Sequence, residues 1–131
     1  MKKYQFNKLI RSKLPERMAL EGVSINGHKL SRADYLQQLK HKIVEEASEV
    51  LEASTKANLI TELADVLEVI HALAKASDID MNDIEAARLE KRNINGYFHA
   101  DNYINYIEVA QDNHRVIEYL ENKDRPYKRP D

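Results

Sequence analysis

The sequence contains no cysteine and no tryptophan, and it has only three prolines and three glycines in 131 residues. Without cysteine the chain cannot form a disulfide, offers no thiol nucleophile and cannot bind zinc through thiolates. Proline and glycine are both missing from His28 to Asn95. Because these two residues are the strongest helix interrupters, the long stretch without them favours a helical bundle.

Other shortages limit the possible function. The chain has 20 basic and 22 acidic residues, a net charge of −2. It therefore lacks the basic excess that nucleic-acid-binding domains normally carry. No apolar run approaches the roughly 18 residues of a membrane-spanning helix, and the first eight residues lack the apolar segment of a signal peptide. We therefore expect a soluble, cytoplasmic protein that binds neither nucleic acid nor a membrane.

Capping residues, and apolar residues at intervals of three and four, predict four helices before Gly96. Ser31 precedes one of them, with Asp34 three residues on, and Asp80 precedes the last, which Gly96 should terminate. An extended arm (4–14) comes before the first helix, and a loop or short hairpin (23–30) follows it. The predicted helices cover roughly residues 15–20, 32–53, 58–76 and 81–95.

The sequence after Gly96 is less regular. Tyrosine and isoleucine are frequent from Tyr103 to Val109, which is typical of a strand. Asp112 to Asn122 fits either a short helix opened by Asp112 or a hairpin that turns at residues 111–113. The last nine residues contain two prolines and charges of both signs, so we expect this tail to be frayed.

The third predicted helix is apolar over more than one face. Val69 and Leu73 widen the apolar surface beyond its main stripe. A helix this apolar is expected to pack on more than one neighbour, including a partner subunit. The residues of the main stripe are Leu59, Leu63, Val66, Leu67, Ile70 and Ala74.

Two acidic patterns about a dozen residues apart are the most informative feature of the sequence. The first is EEASE, beginning at Glu45, and the second is ELAD, beginning at Glu62. Residues three or four apart share a helix face, so two antiparallel helices could bring together Glu46, Glu49, Glu62 and Asp65. Four carboxylates repel one another unless a cation joins them, and hard ions such as Mg²⁺ or Mn²⁺ prefer oxygen ligands. A solvated acidic surface remains the alternative, because glutamate-rich helix faces are common.

The two acidic patterns in register resemble the signature of the all-α nucleotide pyrophosphohydrolases, the superfamily of MazG, dimeric dUTPases and phosphoribosyl-ATP pyrophosphohydrolase. The segment KLIRSKLPE from Lys8 is similar to the opening of the branch of house-cleaning enzymes for non-canonical nucleotides. The segment from Glu90 to Phe98 resembles the closing basic and Gly-Phe segment of that branch. Together these matches cover roughly residues 4–100.

The resemblance implies a fold and an activity. The fold would be an all-α, MazG-like helical bundle that assembles as a homodimer or a dimer of dimers. Residues 1–100 would form the pyrophosphohydrolase domain and residues 101–131 a C-terminal extension. The activity would be Mg²⁺-dependent hydrolysis of a nucleoside triphosphate, most naturally a non-canonical one, to the monophosphate and pyrophosphate, with Mn²⁺ as a possible substitute.

The resemblance also implies roles for individual residues. Glu46, Glu49, Glu62 and Asp65 would be the metal ligands. Glu49 is also chosen as the general base, and Glu45 as a further catalytic acid, although its helical position points away from the core. Cationic and polar residues of the two flanking segments would bind the substrate phosphates: Lys8, Arg11, Lys13, Lys91, Arg92 and Asn95.

The sequence departs from the family pattern in both flanking segments. Ser12 replaces the usual aspartate, and Asn95 and Tyr97 stand where relatives more often have arginine and glycine. Two alternatives therefore stay open beside the favoured one. The chain could be a catalytically silent helical oligomer that binds a nucleotide or a protein, or it could be a phosphoribosyl-ATP pyrophosphohydrolase.

Overall fold

A computed structural model describes residues 1–122 and residue 127 of the chain. All regular elements in this part of the chain are helices, which confirms the predicted all-α class. The helices are α1 (Leu14–Leu20), α2 (Arg32–Glu52), α3 (Lys56–Ala76), α4 (Met81–Asn95) and α5 (His114–Glu121). None of the described helices combines the length and the apolar composition that crossing a bilayer requires.

Side-chain caps fix where the long helices begin. The Ser31 hydroxyl accepts a hydrogen bond from the Asp34 backbone N–H at 3.2 Å, as predicted for α2. The start of α3 was placed two residues late, because the Thr55 hydroxyl accepts from the Asn58 N–H at 3.1 Å and the helix begins at Lys56. Gly96 ends α4 with a φ of 78°, a left-handed conformation that glycine adopts without steric cost.

The prediction for Tyr103 to Val109 was wrong. The structure shows no strand there. Of the two alternatives for residues 23–30, the loop is confirmed. A lone strand would leave its backbone N–H and C=O groups unpaired, and no second strand is available among the described residues. The helical alternative for the following segment is confirmed, but Asn113 caps α5 where Asp112 had been expected. The predicted fraying from Lys123 onward falls outside the described residues, apart from Tyr127.

Helices α2 and α3 are packed against each other, and a three-residue connection between them makes the pair antiparallel. Leu39, Val69 and Ala76 form the buried centre of the core. Partly buried apolar side chains from both helices, and Leu9 from the N-terminal arm, pack around this centre. The pair is the scaffold on which both acidic patterns are held.

The packed face of α3 includes Val66, Ile70 and Ala74 of the predicted stripe but not its leucines. Val69 is buried, Glu62 and Asp65 are half-buried, and Leu73 packs against the core. Three leucines of the predicted stripe remain exposed, since 38% of Leu59, 51% of Leu63 and 52% of Leu67 is accessible. The helix is therefore turned so that its acidic edge faces α2 and its leucine stripe faces away.

Contacts along the chain separate two compact units, Met1–Ile94 and a second unit that begins at Asn95. The first unit contains α1 to α3 and α4 up to Ile94, and α5 belongs to the second. The assignment of residues 1–100 and 101–131 to functionally different domains remains a prediction.

Candidate metal centre

Glu46 and Glu49 lie on the same face of α2, one turn apart. Glu46 is only 9% exposed, and it is the only buried charged residue in the part of the chain that the structure describes. Glu49 is half-buried. Since burying a carboxylate is costly unless a cation or hydrogen-bond donor compensates it, the position of Glu46 needs a physical reason.

Glu62 and Asp65 are the corresponding pair on α3. Both are half-buried. The Oε2 atom of Glu62 is inaccessible to solvent and has no hydrogen-bond partner among the described residues. Buried polar atoms are normally satisfied, so an unpaired carboxylate oxygen at this position is what a cation-binding site would leave.

The four carboxylates converge between the two helices. One oxygen each from Glu46, Glu49, Glu62 and Asp65 can be chosen such that all lie within 4.8 Å of one another. We call these four residues the acidic cluster. Oxygen ligands at such spacings, with no sulfur or nitrogen ligand among them, fit a hard divalent ion. The acidic cluster could therefore hold a metal ion, and the unpaired oxygen of Glu62 is an observation that supports this fit.

Lys42 supplies part of the compensating charge. Its ammonium group lies 3.3 Å from Glu46 Oε1 and donates a hydrogen bond to Glu45 Oε2 at 3.1 Å. Burial acts to lower the pKa of Lys42, but its bonds to Glu45 and Glu46 prevail and raise that pKa. Burial raises the pKa of Glu46, and the nearby Glu49 adds to the rise against the opposing effect of Lys42.

Glu45 lies outside the acidic cluster. Its carboxylate is held between Lys42 and Lys8, whose ammonium group is 3.4 Å from Oε1. Burial acts to raise the pKa of Glu45, but the two lysines outweigh it and the pKa is lowered. Glu45 is thus an ionised partner of two lysines beside the cluster, and its predicted catalytic role remains a prediction.

The predicted phosphate-binding residues fall into two groups. From the N-terminal arm, Arg11 reaches the cluster itself, where Nη2 donates to Asp65 Oδ1 at 2.8 Å. Lys13 is the exposed N-cap residue of α1. Lys91 and Arg92 are exposed positions on α4, and no ion pair joins Lys91 to the acidic cluster within the described residues. Asn95 belongs to the second unit.

Two residues near the acidic cluster were not predicted from the sequence. An open depression of about 330 Å³ beside the acidic cluster is lined by Glu49, Glu52, Ala53, Asn58 and Glu62. Glu52 and Asn58 are not among the site residues predicted from the sequence. The short connection between α2 and α3 brings both residues to the same end of the helix pair, and this closeness follows from the turn and not from helical periodicity.

Comparison with known proteins gives one family match. Residues 4–93 match the model of one family, described as phosphoribosyl-ATP pyrophosphohydrolase. The matched region takes in the N-terminal arm, both acidic patterns and most of α4. A search of the curated proteins and a search of the solved structures each found no match.

Proposed function

The chain belongs to the phosphoribosyl-ATP pyrophosphohydrolase family, and on that premise we propose that it is a cytoplasmic, Mg²⁺-dependent enzyme that releases pyrophosphate from a nucleoside triphosphate. Family membership confirms the predicted relation to the MazG-like superfamily and implies pyrophosphohydrolase activity on a nucleotide. The observation that carries the proposal is the convergence of four carboxylates, one of them with an unpaired buried oxygen.

Glu46, Glu49, Glu62 and Asp65 would hold the ion, with Mg²⁺ as the expected metal and Mn²⁺ as a substitute. When bound, a divalent ion would withdraw charge from the phosphate oxygens and so reduce the repulsion of an attacking oxygen. The side chains of Glu46 and Asp65 differ in exposure, 11% against 30%. The substrate would therefore approach from the side of Asp65, because Glu46 forms the deeper wall.

The proposed chemistry needs a base but no covalent intermediate. Glu49 would accept a proton from one water molecule as the water oxygen bonds to the α-phosphorus. The bond from the α-phosphorus to the bridging oxygen would break, and pyrophosphate would leave with that electron pair. Glu45 would act indirectly, because its contacts with Lys8 and Lys42 hold Lys42 against Glu46.

Phosphate oxygens would be bound by the cations that flank the acids. Arg11 is the strongest candidate, because its guanidinium group already lies at the edge of the cluster and can bind phosphate in a bidentate manner. Lys8 lies three residues earlier on the arm and pairs with Glu45. The other candidates are Lys13, Lys91, Arg92 and Asn95.

Two substrate classes share the required triphosphate. The N-terminal segment resembles the house-cleaning branch, which favours a non-canonical nucleoside triphosphate. The family match favours phosphoribosyl-ATP as the alternative substrate. The acidic cluster would contact only the phosphates. It therefore supports the proposed reaction but does not indicate which base the substrate carries.

The direct test is pyrophosphate release from a panel of canonical nucleotides, damaged nucleotides and phosphoribosyl-ATP, with Mg²⁺ and with EDTA. We expect metal-dependent release from a subset of the panel. Release from phosphoribosyl-ATP alone would replace the favoured substrate by the alternative. No release from any compound, in a folded sample that binds the metal, would leave a catalytically silent nucleotide- or protein-binding oligomer.

We also propose that the active form is a homodimer or a homotetramer. The described part of the chain buries few apolar residues, whereas Leu59, Leu63 and Leu67 form an exposed stripe along α3. Val44 and Leu51 of α2 are also exposed, at 65% and 88%. Contiguous apolar surface of this kind normally marks an interface, and a second copy of the chain would bury it.

Sedimentation equilibrium should therefore give a mass above that of one subunit. Leu67→Lys should lower this mass to one subunit, because a charge would enter the buried centre of the interface. Leu20→Lys makes the same change at an exposed leucine of α1 and should leave the mass unchanged. A monomeric wild-type protein would contradict the proposed assembly.

A further inference from the structure

The Asp65 carboxylate takes part in two arrangements: it belongs to the acidic cluster, and it is hydrogen-bonded to Arg11. One of its oxygens belongs to the set of four that lie within 4.8 Å of one another. Its Oδ1 atom accepts a 2.8 Å hydrogen bond from Arg11, which is 54 residues away in the sequence. A divalent ion bound by the cluster and the Arg11 guanidinium would thus be two cations on one carboxylate, and they would repel each other.

The backbone of Arg11 is fixed on both sides. Leu9 packs against the core centred on Leu39, Val69 and Ala76. The carbonyl group of Arg11 accepts a hydrogen bond from the Leu14 N–H at 3.0 Å, where α1 begins. Any movement that separates Arg11 from Asp65 would therefore be a rotation of the side chain and would leave the arm in place.

The side chain of Arg11 is free to make that rotation. It is 60% exposed, whereas Asp65 is 30% exposed. Its contact with Asp65 is also on the open side of the cluster, since the side chain of Glu46 on the other side is only 11% exposed. A guanidinium group at this position can turn from a carboxylate to a phosphate group that enters from solvent, and it suits both partners equally well.

We propose that Arg11 and the divalent ion compete for Asp65, and that the ion thereby directs Arg11 to the phosphate groups of the substrate. This inference rests on the proposed function and adds a coupling to it: metal binding and phosphate recognition would be linked through one side chain. Such linkage is reciprocal, so each ligand should change the affinity for the other by the same factor.

The test is Mn²⁺ binding to the full chain by isothermal titration calorimetry, without nucleotide. Arg11→Ala should bind Mn²⁺ about two- to fivefold more tightly than the wild type, the range expected when an exposed ion pair no longer competes. Arg11→Lys should stay near the wild type because it keeps the competing charge. Lys3→Ala removes an exposed charge just before the arm and controls for net charge.

The second measurement is binding of inorganic tripolyphosphate at saturating Mn²⁺, which presents the phosphates without a base. Arg11→Ala should weaken this binding about tenfold, the loss expected for a charge-assisted hydrogen bond. Unchanged or weaker Mn²⁺ binding by Arg11→Ala, or unchanged tripolyphosphate binding, would overturn the competition while leaving the proposed activity intact. A wild-type chain that binds Mn²⁺ but hydrolyses no nucleotide would refute the proposed activity. The two binding measurements would still decide whether Arg11 and the ion compete for Asp65.

Discussion

Replacing Glu62 by glutamine is expected to lower turnover at least about a hundredfold and to stabilise the metal-free protein. This loss of turnover is larger than that usually seen when a hydrogen-bond partner of a metal ligand is removed, because Glu62 would be a metal ligand itself. The gain in stability arises because a neutral amide removes one of four mutually repelling carboxylates and can donate a hydrogen bond where Oε2 has no partner. Pyrophosphate release and thermal unfolding in EDTA measure the two effects.

Glu68→Gln is the matched control for this variant. Glu68 is an exposed glutamate on the same helix, and it lies outside the acidic cluster. Its replacement removes the same charge and should change neither turnover nor melting temperature appreciably. If Glu62→Gln retained full activity, Glu62 would not be a metal ligand; if the variant were less stable in EDTA than the wild type, Glu62 would be a structural residue.

Leu39→Ala is expected to lower the free energy of unfolding by about 2–5 kcal/mol, the range for removing a buried leucine side chain. Leu39 is 5% exposed and lies at the centre of the contact between α2 and α3. The described core is small, so few neighbours are available to close the cavity. The helix pair also positions the acidic cluster, and metal binding should weaken along with the fold.

Urea unfolding followed by circular dichroism measures this loss. The comparison needs equal protein concentrations, because assembly would add to the apparent stability. Leu20→Ala is the control, since Leu20 is 84% exposed on α1 and the same truncation should cost little. A loss below 1 kcal/mol for Leu39→Ala would mean that the core is centred elsewhere.

The helices and the four residues of the acidic cluster could be predicted from the sequence. Ser31 and Gly96 set helix ends through hydrogen bonds and backbone conformations that span only a few residues. Such short-range interactions can be predicted from the amino-acid sequence. The spacing of three within each acidic pattern guarantees a shared helix face. The same local reasoning failed for Tyr103 to Val109, because strand-forming side chains cannot show whether a partner strand exists.

The face of α3 that meets α2, and the cations that meet the acids, could not be predicted from the sequence. Periodicity found apolar residues around most of α3, so it could not tell the packed Val69 from the exposed Leu63. It also found no basic partner beside Asp65, because Arg11 arrives from an arm 54 residues away. Helical spacing describes neighbours along one helix, whereas contacts between distant segments depend on how the helices and the arm pack.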